Sequence, residues 1–306
     1  MDSQSKVLSP AALGALAALL AGVLFGLLNL TIRLSEPSLT IWHMMFGRSV
    51  IGVVFILIMA RKMGTVLIRG QAASLALIGL TGTLGILGLT HALLEIPLFQ
   101  ALVLFYTYPA VAALTSPWLT KDTHDLKDWG FIGLAFSGIC CILWSGSAGR
   151  LSLTAGHLSA LSASLGLGLT MTLIRRVRPK VSSLSPIFAI SVVGSVICVL
   201  PLFHHEVGFL VSSHGLLWIV AIGILAASAH IATNKALGYI SSSKVGIFSS
   251  TEVLYGALIG LFLFSEPLGW STLIGGALIL AASIGLMRQP PVSATVQPES
   301  RQSSGK

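Results

Sequence analysis

The sequence predicts an all-α integral membrane protein with ten transmembrane helices in two inverted five-helix repeats. Three observations lead to this prediction. The chain of 306 residues is 54% apolar and only 9% charged, whereas a soluble domain is about a quarter charged. Ten apolar runs are each long enough to cross a bilayer, which takes about 20 residues. Two segments of the first half of the chain also recur in the second half.

The ten apolar runs, named span 1 to span 10, lie near 10–32, 40–60, 72–93, 98–119, 129–147, 157–175, 183–203, 216–237, 244–264 and 269–287. Polar or helix-ending residues separate them. The runs lack the alternating pattern of barrel strands, so helices are the expected way to satisfy the backbone in lipid. No A-x-A cleavage site follows the first run, which is therefore interpreted as a span and not as a removed signal peptide.

The basic residues predict the orientation of the bundle. One side has 14 Lys and Arg residues: Lys6, Arg61, Lys62, Arg69, Lys121, Lys127, Arg175, Arg176, Arg178, Lys180, Lys244, Arg288, Arg301 and Lys306. The opposite loops have only Arg33 and Arg150. By the positive-inside rule both termini are cytoplasmic. The rule also explains the net charge of +8 without a nucleic-acid partner.

The internal repeat comes from two ungapped matches. Residues 21–37 align with 163–179 and share the pattern I-R-x-x-x-P, and residues 92–122 align with 236–266. The predicted division is a cytoplasmic N-terminus (1–9), a first repeat (10–147), a second repeat (148–287) and a disordered cytoplasmic tail (288–306). Because each repeat has five spans, the second enters the membrane from the opposite side, which places a substrate site near the midplane where the repeats meet.

Two charged residues lie near the middle of predicted spans. Glu252 is the sole carboxylate of span 9, and Arg48 lies in span 2. An ionised side chain at this depth costs roughly 2.5–3.5 kcal/mol, so each needs a partner, a water-filled cavity or, for the carboxylate, a proton. Glu252 is interpreted either as a coupling residue or as a structural tie to Arg48, Lys235 or a serine hydroxyl. Arg48 either binds a substrate anion by a bidentate fork or braces span 2.

Four further polar residues are candidates for a site. His230 and Asn234 are four residues apart in span 8 and share one helix face; His230 is either a proton relay or a hydrogen-bonded structural residue. Tyr106 and Tyr108 lie in span 4 and are expected to point to different sides of a continuous helix. One of them would then line a cavity while the other packs against a neighbour.

Other classes of function have little support in the sequence. The three cysteines form no C-x-x-C or His-Cys cluster, so neither a zinc site nor a disulfide framework is expected. No metalloprotease or G-x-S-x-G motif and no ATP-binding loop is found, which argues against an embedded enzyme and against a bound cofactor. A purely structural membrane protein would not need charges at the midplane. Glycine pairs spaced four apart predict close helix packing within the bundle, or a dimer seam.

The ten spans, the Arg48 of span 2, the segment HALLEIPLFQALVLFYTYPAVAAL (91–114) and the related segment KALGYISSSKVGIFSSTEVLYGALIGLFLFSEPLGW (235–270) resemble the EamA-type transporters of the drug/metabolite transporter superfamily. Arg48 matches the family's span-2 arginine, Tyr108-Pro109 its span-4 proline step, and Glu266 its acidic turn before span 10. Many members have proline where Val253 stands, so span 9 is expected to be straighter here.

The resemblance implies a secondary transporter of the inner membrane that works by alternating access. The expected substrate is a small metabolite, amino-acid-like or a related organic solute, with export favoured over import and protons as the candidate coupling ion. Import of a vitamin or nucleoside-like compound is the alternative within the class. The expected cavity lies between the halves and is lined by spans 1, 3, 4, 6, 8 and 9. The other expected contacts are membrane lipid and, in a homodimer, a second copy.

Overall fold

The computed structural model describes residues 9–63, 71–119, 126–144, 153–177, 180–182, 184–204, 208, 210–240 and 242–288. The predicted tail after Arg288 and parts of the inter-helix loops, with Arg69, Lys121, Arg150 and Arg178, lie outside this part. The helices are α1 (Pro10–Ser35), α2 (Ile41–Met63), α3 (Ala72–Glu95), α4 (Leu98–Phe105), α5 (Tyr108–Leu119), α6 (Leu126–Leu143), α7 (Ala155–Val177), α8 (Ser185–Val199), α9 (Ser213–Leu237), α10 (Ser242–Ser249), α11 (Thr251–Leu263) and α12 (Trp270–Arg288).

These helices form ten segments long and apolar enough to cross a membrane, which confirms the predicted count. Span 4 consists of α4 and α5, and span 9 consists of α10 and α11. Large aliphatic side chains such as Leu16, Leu20 and Val54 remain about half exposed on the outside of the bundle. A soluble monomer rarely exposes so much contiguous apolar surface, whereas lipid solvates it.

The most extensive helix packing joins the two repeats to each other. The leading pairs are α3 with α7, α1 with α9, and α6 with α12. If spans 1–5 are superposed on spans 6–10, the α3–α7 pair becomes the α9–α1 pair, as a two-fold relation between repeats requires. Gly85 of α3 and Gly166 of α7 lie so close that a methyl group on either would clash with the opposite backbone. These two glycines therefore allow close packing within the bundle.

Spans 4 and 9 are each interrupted near the middle, at equivalent positions of the two repeats. The break in span 4 falls at Tyr106 and Thr107, and the break in span 9 falls at Ser250, which the repeat alignment places opposite Tyr106. The expectation that span 9 would be straighter is therefore wrong: the helix breaks at Ser250 although no proline is present there. In place of the regular i−4 bonds, the Ala110 and Val253 N–H groups donate to the carbonyls three residues back.

The two ends of the bundle are named by their arginines. The Arg33 end includes the C-terminus of α1 and the turn between α11 and α12, and the Arg288 end includes the C-terminus of α12. At the Arg33 end α11 stops where Ser265 adopts a positive φ of 52°. The N–H groups of Phe264 and Glu266 both donate to the Gly260 carbonyl there, as at a helix C-cap. The positive-inside rule predicts that the Arg288 end is cytoplasmic.

Candidate functional site

Glu252 lies in the first turn of α11, directly after the break in span 9. Its residue is only 6% exposed, so it does not face lipid. A helix N-terminus carries a partial positive charge, which favours a carboxyl group at this position. The break thus places a half-helix N-terminus, with a carboxyl side chain on it, in the interior of the bundle.

Two neutral donors hold the Glu252 side chain. The Asn29 amide of α1 donates to Oε1 over 2.7 Å, and the Tyr106 hydroxyl lies 3.1 Å from Oε2. Both partners are nearly inaccessible, at 4% and 3% exposure. The three residues, named the Glu252 triad, connect α1, the end of α4 and α11, so that both repeats contribute to them.

The interruption of span 9 also supplies a backbone acceptor to this triad. The Tyr106 hydroxyl lies 3.0 Å from the Ser249 carbonyl oxygen. In a regular helix the Val253 N–H would bond to that oxygen, but here it donates to Ser250 instead. The break in span 4 frees the Tyr106 carbonyl in the same way, and the Ser283 hydroxyl donates to it over 2.5 Å. Both breaks are thus satisfied by hydrogen bonds from neighbouring helices.

Arg48 and His230 lie close to the triad without being hydrogen-bonded to it. Arg48 of α2 interacts electrostatically with both Glu252 and His230. In the described part of the chain, however, no ion pair within 4.0 Å includes the Arg48 guanidinium. The His230 ring of α9 meets the Phe25 ring of α1 edge-on, with ring centroids 5.5 Å apart. The structural tie between Glu252 and Arg48 or Lys235 is therefore not formed as an ion pair.

The two tyrosines of span 4 do not point to different sides, so that expectation is wrong. Their ring centroids are 5.8 Å apart, and the Tyr108 ring also contacts the Phe105 ring at 5.7 Å. The break between them changes the direction of the chain, and the spacing rule for a continuous helix does not apply. Asn234, one turn along α9 from His230, takes no part in the triad.

A second buried carboxylate, Glu266, lies at the Arg33 end. Its Oε1 pairs with the Arg33 guanidinium at 3.5 Å, and its Oε2 accepts from the Leu98 N–H at the start of α4 over 2.9 Å. Arg33 also donates to the carbonyls of Leu93 and Ile96. We name this group the Arg33–Glu266 clasp, because it ties α1, the α3–α4 turn and the α11–α12 turn together.

The clasp places its charges in a partly dry environment. The Arg33 guanidinium lies 5.7 Å from the centroid of the Phe264 ring, within cation–π range. Burial raises the pKa of the Glu266 carboxyl above its ordinary value, although the Leu98 N–H and the Arg33 charge act in the opposite direction. The sequence singled out both residues, but nothing in it indicated that they pair.

Asn29 is the site residue that the sequence reading missed. It is the sole amide side chain in the apolar span 1, and a buried amide in lipid needs a hydrogen-bond partner. Its position could therefore have been recognised from the sequence. Its partner could not, because Glu252 lies in the other repeat. No group of three or more His, Cys, Asp or Glu side chains in the described residues is arranged to hold a metal ion.

Ten membrane-spanning helices in two packed repeats, with polar groups meeting at breaks in two spans, define a membrane transporter of the repeat-built class. A family model for the EamA-like transporter family matches residues 12–144 and 154–288. The chain belongs to this family, and the predicted resemblance is confirmed. Its members and named relatives are transporters and not enzymes.

Known proteins of similar sequence span most of the chain. The pseudopaline exporter CntI of Pseudomonas aeruginosa is 25% identical over 279 residues, which cover 90% of this chain and 96% of that protein. Human solute carrier family 35 member G1 is 24% identical over 234 residues, which cover 73% of this chain and 64% of that protein. One crystal structure has the same fold, with a TM-score of 0.60 at 17% identity over 89% of this chain.

Proposed function

We propose that this protein exports a small, amino-acid-like metabolite across the inner membrane by alternating access, with Glu252 exchanging a proton for a cationic group of the substrate. The observation that carries the proposal is the Glu252 triad. Its carboxyl group is buried at the midplane, is held by neutral donors, and has no cation within 4.0 Å among the described residues.

The geometry of the triad suits both protonation states of Glu252. When the carboxyl is ionised, the Tyr106 hydroxyl donates to Oε2, and Asn29 donates to Oε1. When it is protonated, Oε2 donates to the Tyr106 oxygen, and the Tyr106 hydroxyl donates to the Ser249 carbonyl 3.0 Å away. A hydroxyl can act in both directions in this way. Each carboxyl oxygen of Glu252 keeps a hydrogen bond in both states, whereas the Ser249 carbonyl has the Tyr106 hydroxyl as its donor only in the protonated state. Loss of the proton is therefore compensated at the carboxylate and costs one hydrogen bond to the backbone.

Arg48 supplies the complementary charge. Its guanidinium has no anionic partner within 4.0 Å among the described residues, and the plane of such a group can bind a carboxylate by two parallel hydrogen bonds. A zwitterionic solute would place its anionic group at Arg48 and its cationic group at Glu252, which gives up its proton. His230 and Tyr108 border the same region and are further candidates for substrate contacts.

The direction and compartment rest on similarity and on charge distribution. CntI, which matches 90% of the chain, is named as an exporter of pseudopaline. The asymmetry of Lys and Arg supports a cytoplasmic Arg288 end, where an export substrate would enter. Alternating access then consists of opening one end of the bundle while the Arg33–Glu266 clasp closes the other.

Flux measurements in reconstituted vesicles test the proposal. The wild-type protein is assayed against a panel of radiolabelled amino acids and related organic solutes, with and without an imposed pH gradient. Glu252→Gln is expected to abolish gradient-driven accumulation and to keep exchange of substrate for substrate, because exchange needs no net proton movement. Arg48→Ala is expected to weaken apparent affinity for the same substrate. Accumulation by Glu252→Gln that still follows the pH gradient would overturn the coupling role.

A further inference from the structure

A groove at the Arg288 end lies away from the Glu252 triad and is not part of the proposed transport cycle. It has a volume of about 590 Å³ and lies between α1, α10 and α12. Its walls are mainly apolar, with Ala11 and Ala15 on α1 and Ile247 and Phe248 on α10. Ala11 and Ala15 are four residues apart on α1, and Lys244 lies three and four residues before Ile247 and Phe248 on α10, so each helix presents one face to the opening.

Two cations stand at this groove. Lys244 on α10 and Arg288 at the end of α12 both line it, and both are exposed. Either one alone would be explained as a topology anchor at a membrane boundary. Their convergence on a single apolar groove is a different feature, because topology requires only the side on which a charge lies and not which neighbours it has.

We propose that this groove binds an anionic phospholipid, with its phosphate at Lys244 and Arg288 and an acyl chain along the apolar wall. The chemistry of the groove matches each part of such a molecule. Basic pockets between membrane helices recognise anionic headgroups, and each Lys or Arg near the surface contributes about 1 kcal/mol, or roughly 5-fold in affinity. Two cations therefore favour an anionic over a zwitterionic lipid by roughly 30-fold if their effects add.

Close helix contacts border the groove. A methyl group added at Gly246 of α10 would lie 2.6 Å from the Met287 sulfur of α12, and one added at Gly14 of α1 would lie 2.8 Å from Ile240. Beside the groove, α10 thus packs closely on α12, and α1 packs closely on the α9–α10 turn. Phe248 directly precedes Ser249, whose carbonyl lies next to the Tyr106 hydroxyl, so the bound lipid would contact the short helix that borders the triad.

Native mass spectrometry of the purified protein tests this site. The probe is an equimolar mixture of phosphatidylglycerol and phosphatidylcholine in detergent micelles. Wild-type protein is expected to retain one phosphatidylglycerol in preference to phosphatidylcholine. Lys244→Gln/Arg288→Gln should lose that preference by roughly 30-fold. The matched control is Arg61→Gln/Lys180→Gln, which removes two exposed cations from the same end but outside the groove and should retain the preference.

A second variant keeps the test valid if the double substitution harms folding. Ala15→Phe fills the groove without changing its charge, and it should also lose the bound phosphatidylglycerol. Only variants whose melting temperature and monodispersity in phosphatidylcholine match those of the wild type are compared. An unchanged phosphatidylglycerol preference in the groove variants, or no preference in the wild type, would overturn the proposal. An equal loss of preference in the Arg61→Gln/Lys180→Gln control would also overturn it, because the preference would then be an effect of net charge and not of the groove.

Discussion

Glu252 and Glu266 are both buried carboxyl groups in the second repeat, but their surroundings differ. Glu266 has a cation, Arg33, and a backbone N–H from the start of α4. Glu252 has an amide and a phenol, and it forms no ion pair within 4.0 Å with Arg48 or any other cation among the described residues. Glu266 ties three segments at one end of the bundle, whereas Glu252 lies at the break in span 9 inside it.

This difference separates a structural carboxylate from one that can change its protonation state. Removing one partner of a buried ion pair leaves an uncompensated charge and destabilises the fold. Glu266 is therefore interpreted as a structural residue of the clasp. The Glu252 carboxyl keeps a hydrogen bond at each oxygen with or without the proton, because the Tyr106 hydroxyl can turn between Oε2 and the Ser249 carbonyl. A glutamate thus closes one end of the bundle at position 266 and is a candidate proton carrier at position 252.

The largest expected effect is a reversal between the two Glu→Gln variants. Glu252→Gln should lose gradient-driven accumulation at an unchanged melting temperature, because glutamine reproduces the hydrogen bonds of a protonated glutamate. Glu266→Gln should retain accumulation but lose about 1–3 kcal/mol of stability, because glutamine has one acceptor oxygen where Glu266 accepts from both Arg33 and the Leu98 N–H. Vesicle flux and thermal unfolding in detergent measure both properties on each variant. If Glu252→Gln lowers the melting temperature and Glu266→Gln does not, the comparison is reversed.

The helices could be predicted because length and hydropathy are local properties of the chain. The breaks at Tyr106 and Ser250 could not, because they are stabilised by hydrogen bonds from Ser283 and Tyr106 in distant segments. Glu252 was recognised from its cost in lipid, but its partner Asn29 is 223 residues away in sequence. The packing of α1 against α11 decides that contact, and no periodicity within either helix specifies it. The orientation of the termini stays a prediction.

A smaller effect is expected when the triad loses only its phenol. Tyr106→Phe removes the one donor that serves Glu252 and the Ser249 carbonyl, at a cost of about 1–3 kcal/mol. Accumulation should fall by roughly 10-fold or more, while substrate exchange falls less. The control is Tyr255→Phe, on the same helix as Glu252. The Tyr255 ring packs against Gly26 and has no part in the triad. Equal losses in the two variants would indicate a packing effect and not loss of the hydrogen bond.

The smallest expected effect is the pH dependence of the clasp. Burial raises the pKa of Glu266 from an ordinary value near 4.5, so the folded state binds its proton more readily than the unfolded state. The resulting contribution to stability is fully present below about pH 4.5 and is lost as the pH rises through the raised pKa. The melting temperature of the wild type relative to Glu266→Gln should therefore fall with rising pH. A difference that grows with pH would show that the Arg33 charge outweighs burial.

Infrared difference spectroscopy tests the exchange of a proton for substrate at Glu252 most directly. The purified protein is held at constant pH, and the substrate identified in the flux panel is added, so that the carbonyl stretch of a protonated carboxyl group can be followed. We expect the wild type to lose one such band on binding, and Glu252→Gln to show no loss. Tyr106→Phe should shift the frequency of that band by changing its hydrogen bond. An identical loss in Glu252→Gln, or no loss in the wild type, would contradict the central claim.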